Sequence, residues 1–190
     1  MEEQTAASGH EIESADGVLA FWRALGRDRW FSRDEAVDAA IRRRFLATYE
    51  AAAGGSLRPW EDAPQSALAL LIVLDQFPRN MFRDEARAFA ADARAREVAE
   101  RALARGFDQA VTRGERGFFY LPFMHSENAA DQERCVALYQ AAEDADGLKF
   151  ALIHADIVRR FGRFPHRNAA LGRETTADEQ GFLAAGGFTG

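Results

Sequence analysis

The chain has 190 residues with 24 basic and 30 acidic side chains, a formal net charge of −6. That length suits one domain with its own hydrophobic core, and the acidic balance argues against a nucleic-acid binder or a polybasic membrane-surface protein. Alanine supplies 38 residues while Ile, Val and Thr together supply 18, so strand-favouring residues are scarce and an all-α fold is expected.

Residues 1–13 are polar and unpatterned and read as a flexible tail, with no apolar segment of a secretory leader. A helix is expected from Ser14 to about Leu25, with Val18, Phe21, Trp22 and Leu25 at helical spacing and Gly26 as its stop. Ser32-Arg33-Asp34-Glu35 has the form of a capping box, in which the Ser and Glu side chains satisfy free backbone donors. The helix behind it carries Val37, Ile41, Phe45 and Tyr49 on one stripe and stops at Gly54-Gly55. Pro59 and Pro64 bracket a turn holding Trp60. A third helix, 64–77, contains the run Ala67–Leu74, apolar on every face and therefore buried between other helices. That run is the longest in the chain and falls well short of the roughly 20 residues of a membrane span.

Pro78 is expected to end the third helix, because the residue before a proline is pushed out of the α region. Ala91 to Arg105 reads as a helix stopped by Gly106. Thr112-Arg113-Gly114-Glu115 forms a second capping-box pattern before Phe118–Leu121 and a break at Pro122. Ser126 can cap a helix running to about Ala142; its Cys135, the single cysteine, excludes an internal disulfide and reads as a buried thiol. Asp146 or a neighbour starts another helix, with Phe150, Ile153, Ile157 and Phe161 facing inward and Gly162 stopping it. Thr176-Ala177-Asp178-Glu179 is a third capping box before a short last helix. The result is one domain over 14–185, of seven to eight antiparallel-packed helices, followed by a Gly-rich tail at 186–190.

Two loops carry the most chemistry. Asp75 lies in the last turn of the buried helix, where the helix dipole disfavours a carboxylate, and Arg79 and Asn80 follow Pro78. Arg163-Phe164-Pro165-His166-Arg167-Asn168 repeats this pattern of a helix stop, an aromatic-Pro pair and Arg-Asn. Guanidinium forks suit bidentate contact with carboxylate or phosphate, and His166 adds a proton-transfer group. If the loops meet, Asp75, Arg79, Asn80, Arg163, Arg167 and Asn168 form an anion-binding mouth; otherwise the arginines cap helix ends. Arginine supplies 23 of the 24 basic residues, so one arginine alone carries little weight. His125 beside Glu127 could serve acid–base chemistry or supply two metal ligands, although Ser126 and Glu127 also make an ordinary helix start. His154 reads as a hydrogen-bonded core histidine, and Asp156 as a partner for Arg159 or Arg160. No phosphate-binding loop, dinucleotide fingerprint or zinc-protease motif is present.

Val18-Leu19-Ala20-Phe21-Trp22, Trp30-Phe31, Leu74 to Asn80, Tyr120 to Glu127 and Phe161 to Asn168 occur in an order that resembles the bacterial domain-of-unknown-function family 924, across about residues 15–183. The resemblance implies an all-helical fold with tetratricopeptide-like helix stacking and brings no activity or cofactor with it. The expectation for function is therefore a cytoplasmic protein that binds a small anionic ligand between the two loops, with His125, Glu127 and His166 as candidate catalytic groups. A tetratricopeptide-like module for a protein partner is the alternative, and a metal-dependent or acid–base hydrolase the third reading.

Overall fold

A computed structural model describes residues 11–188; most of the expected N-terminal tail lies outside them. Among the described residues there are helices and no strands. They comprise α1 (Ala15–Leu25), α2 (Arg27–Trp30), α3 (Glu35–Ala53), α4 (Pro64–Leu71), α5 (Phe77–Met81), α6 (Asp92–Ala104), α7 (Leu121–Met124), α8 (Ala129–Ala141), α9 (Ala145–Phe161) and α10 (Ala177–Ala184). Seven of these have eight residues or more. Single 3-10 turns fill several of the connections.

The apolar run Ala67–Leu74, which begins in α4 and continues past its end, is the centre of the molecule: every residue in it is buried. Helix α1 lies against α4 and α3 along α5, placing Val18, Trp22, Ile41, Phe45 and Phe77 in one core. Helices α8 and α9, joined by three residues, form an antiparallel hairpin. A tetratricopeptide-like stack is not established by this arrangement, because the remaining helices differ widely in length and are separated by 3-10 turns. A second, smaller apolar cluster gathers Ile157, Val158 and Phe164 with Phe161, Phe182 and Phe188.

Several local expectations need correction. The third helix does not end at Pro78. The chain passes from α4 through a π turn, Ile72–Gln76, into α5, and the Phe77 N–H bonds the Ile72 carbonyl. This change of register puts Pro78 in the first turn of α5, where its missing N–H interrupts no intrahelical bond. Pro122 likewise opens α7 instead of breaking a helix. The cap of α3 is Asp34, not Ser32: its carboxylate accepts from the Ala36 and Val37 N–H groups, and a negative cap also suits the helix dipole. Thr112 bonds the Glu115 carboxylate directly, with no reciprocal capping box, and a 3-10 turn follows. Asn128, not Ser126, caps α8, while Ser126 accepts from the Asn128 N–H and donates to Asp131. Thr176 and Glu179 do form their box.

Helix α9, capped by Asp144, buries Ala151, His154, Ile157 and Val158 and leaves Phe150 47% exposed. The buried stripe includes a histidine whose Nδ1 is satisfied by the Phe150 carbonyl at 2.8 Å. Phe150, expected to face inward, is therefore on the exposed side of α9, whereas His154 is buried and hydrogen-bonded as its sequence reading expects.

Candidate functional site

Between the two apolar clusters, five segments deliver polar side chains to one place. The π turn supplies Asp75, α5 supplies Arg79, and the first residue of α6 is Asp92, where the dipole favours a carboxylate. The residue ending α7 is His125, and the 3-10 turn Pro165–Arg167 carries His166 and Arg167.

Asp75 is buried, yet both its oxygens are engaged. His125 Nδ1 lies 2.9 Å from Oδ1, and Gln76 Nε2 donates to Oδ2 at 2.6 Å. Arg79 sits 3.4 Å from Oδ1 and donates to the Asp75 main-chain carbonyl at 2.6 Å. Burial alone would raise the carboxyl's pKa. The Arg79 charge and the hydrogen bonds outweigh it and hold Asp75 well below the usual carboxylate range. Arg79 also reaches Asp92 through two N–H groups, each at 3.0 Å, and its pKa is raised because Asp75 and Asp92 outweigh its burial.

Arg167 completes the row from the other loop. Its guanidinium carbon lies over the Phe89 ring at 4.4 Å and the Phe164 ring at 4.7 Å, two cation–π contacts. One N–H reaches Asp92 at 3.3 Å, while Nε is buried and has no partner among the described residues. Burial and the neighbouring Arg79 push its pKa down to about 10. His166 Nδ1 is a second buried atom here without a partner among the described residues. Burial first, then Arg167, depresses His166 to about 4. Burial likewise takes His154 to about 3 and, with Arg79, lowers His125. At neutral pH all three imidazoles are uncharged.

The family model for bacterial proteins of unknown function, DUF924, matches residues 18–187. The chain belongs to the DUF924 family. Its fold is similar to that of a solved structure, the protein of unknown function ATU0120 from Agrobacterium tumefaciens. The two are 46% identical with a TM-score of 0.87, over 90% of this chain and 97% of that one. Comparison with curated proteins returns no match.

In this DUF924 chain the two Arg-Asn loops meet through their arginines alone. Arg79 and Arg167 share Asp92, whereas Asn80 donates to Asp38 at 2.8 Å on the α3 side. Arg163 forks onto Glu179 at 2.6 and 2.8 Å, and Asn168 donates to the same carboxylate at 3.2 Å. These contacts tie the loop to the first turn of α10. The Arg163 hydrogen bonds pull Glu179 down to about 2. Glu127 accepts from Arg173 at 2.7 and 3.0 Å and from the Phe164 N–H at 2.8 Å. His125 and Glu127 are thus not joined in a ligand set, and among the described residues no three His, Cys, Asp or Glu side chains could hold a metal ion.

Sequence reading missed Asp92, an ordinary-looking acid at a helix start, and Phe89 in the 3-10 turn before it. It also treated the C-terminal glycines as a plain tail. Gly186 has φ +79°, and a Cβ on Gly187 would lie 2.5 Å from the Phe182 ring. The chain therefore turns back and sets Phe188 edge-on to His154 at 4.6 Å and beside His166 at 6.1 Å. Two surface concavities, one lined by Arg58, Glu61 and Arg101 and the other by Arg113 and Asp144, share no residue with this cluster. Among the described residues, no helix is long and apolar enough to cross a membrane.

Proposed function

We propose that this DUF924 chain binds a small anionic ligand, a carboxylate or phosphate, at Arg167 and Arg79 where the two loops meet. The observation that carries the reading is the state of Arg167. It is a nearly buried guanidinium whose bond to Asp92 is 3.3 Å long and whose Nε has no partner among the described residues. Buried donors are satisfied in folded proteins almost without exception, and a planar fork beside apolar rings is suited to a bidentate anion. Asp92 holds Arg79 in place, and Asp75 pairs with the same Nη1. Asn80, Arg163 and Asn168 support the surrounding loops and do not touch the ligand.

A thermal-shift screen of carboxylates and phosphates against the wild type and Arg167→Lys tests this. A ligand at about 100 times its dissociation constant adds roughly 2.7 kcal/mol, about 5–10 °C for a domain of this size. Lysine keeps the charge and loses the fork, so the shift should largely vanish in the variant. Equal shifts in both proteins, or none in either, would remove the site and favour the protein-partner reading.

A further inference from the structure

We propose that the anion site is catalytic: His125, oriented by Asp75, is the general base for hydrolysis of an ester or amide whose own carboxylate is held by Arg167. This rests on the anion-binding reading above and deepens it.

The geometry is that of a carboxylate–imidazole dyad. The 2.9 Å contact to Asp75 assigns the His125 proton to Nδ1, which leaves the Nε2 lone pair available. Nε2 has no partner among the described residues and is not among their fully buried unpaired atoms, and the side chain is 15% exposed. Asp75 is itself fixed by Gln76 and Arg79, and an oriented carboxylate behind an imidazole stabilises the cation formed when the ring takes a proton. A continuous row, His125–Asp75–Arg79–Asp92–Arg167, connects this base to the unsatisfied guanidinium, with every link between 2.9 and 3.4 Å. Asp75 on the π turn contacts His125, the His154 ring on α9 lies 6.4 Å from it, and the charges of Arg79 on α5 and Asp92 on α6, with His166 on the 3-10 turn, also act on it. Burial and Arg79 outweigh Asp75 and keep the ring in its neutral, proton-accepting form.

Water is the nucleophile this arrangement provides for. Ser126, next to His125, donates its hydroxyl to Asp131, and Cys135 is buried with its thiol pushed up to about 12. A positioned base helps most where the attacking water must lose its proton as the new bond forms, as at an acyl carbon. Phosphoryl transfer depends more on positioning and charge stabilisation. Nε2 takes a proton from water as its oxygen bonds to the acyl carbon. The bond to the leaving oxygen or nitrogen then breaks, and the leaving group takes the proton back from the imidazolium. The products are a carboxylic acid and an alcohol or amine, with no change of oxidation state.

The test is hydrolysis of mono-p-nitrophenyl succinate beside the neutral p-nitrophenyl acetate, with succinate binding measured separately by calorimetry. The wild type should favour the anionic ester, and Arg167→Lys should lose that preference. His125→Gln should reduce the rate by about 10²–10⁴. Asp75→Asn, the change at a positioning residue, should move the acid limb of the pH–rate profile. Should a variant misfold, diethyl pyrocarbonate on the wild type replaces it: activity should fall in step with His125 modification, and succinate should protect both. Succinate binding without hydrolysis, or full hydrolysis in His125→Gln or in the His125-modified enzyme, would overturn this proposal and leave the anion site standing. Neither binding nor hydrolysis would overturn both.

Discussion

Asp92→Asn is the substitution that probes the electrostatics of the site most sharply. The Asp92 carboxylate receives two N–H groups from Arg79 at 3.0 Å and one from Arg167 at 3.3 Å. The side chains are 10%, 20% and 7% exposed respectively, so solvent screens them little. Asparagine keeps the shape and removes the charge. Arg79 then retains Asp75, and Arg167 loses its one ion-pair partner among the described residues. Removing one partner of a buried ion pair costs about 3–5 kcal/mol. At roughly 2–4 °C per kcal/mol for a domain of this size, the melting temperature should fall by about 6–20 °C. Thermal unfolding followed by circular dichroism measures this directly. Acetate or phosphate should recover much of the loss in the variant, because an external anion can occupy the place of the missing carboxylate. A variant melting within the range of an exposed ion pair, about 1 kcal/mol, or one that anions do not restabilise, would refute the reasoning.

The buried histidines set a pH dependence with a definite sign. His154 and His166 titrate in the folded state at about 3 and about 4, against an ordinary 6.5, so the unfolded chain binds their protons first. Stability should be complete above pH 6.5 and fall as the pH drops towards 4, by up to several kcal/mol; urea unfolding at a series of pH values checks this, and His154→Phe should flatten the slope. Asn128→Ala should cost about 1 kcal/mol in the same urea assay, and a negligible effect would contradict its assignment as the α8 cap. Phe188→Ala should speed diethyl pyrocarbonate modification of His154 and His166, read by peptide mass spectrometry, and unchanged rates would mean that the ring does not cover them.

The helices and the core were largely legible in the sequence, because long helical stripes and the all-apolar run Ala67–Leu74 leave few alternatives. Proline misled at Pro78 and Pro122, since a proline that ends one helix in isolation can equally occupy the first turn of the next once a π or 3-10 turn shifts the register. The convergence of Asp75, Arg79 and Arg167 was anticipated from two similar loops. Asn80, Arg163 and Asn168 match the same loop pattern but have structural partners, Asp38 and Glu179, on other helices. Loop similarity reports what a segment offers and not which acid will accept it. Asp92 was invisible for the same reason: its role depends on two arginines arriving from residues 79 and 167.

The central claim is that Arg167 presents an unsatisfied guanidinium edge to an anion. Nitrogen-15-resolved NMR of the arginine Nε–H resonances, during titration of the folded protein with acetate and then inorganic phosphate, observes the atom concerned. The Arg167 Nε–H signal should move saturably with at least one of these anions, while that of Arg163, whose Nε already donates to Glu179 at 2.6 Å, should stay in place. An Arg167 signal that moves no more than that of Arg163 would contradict the account.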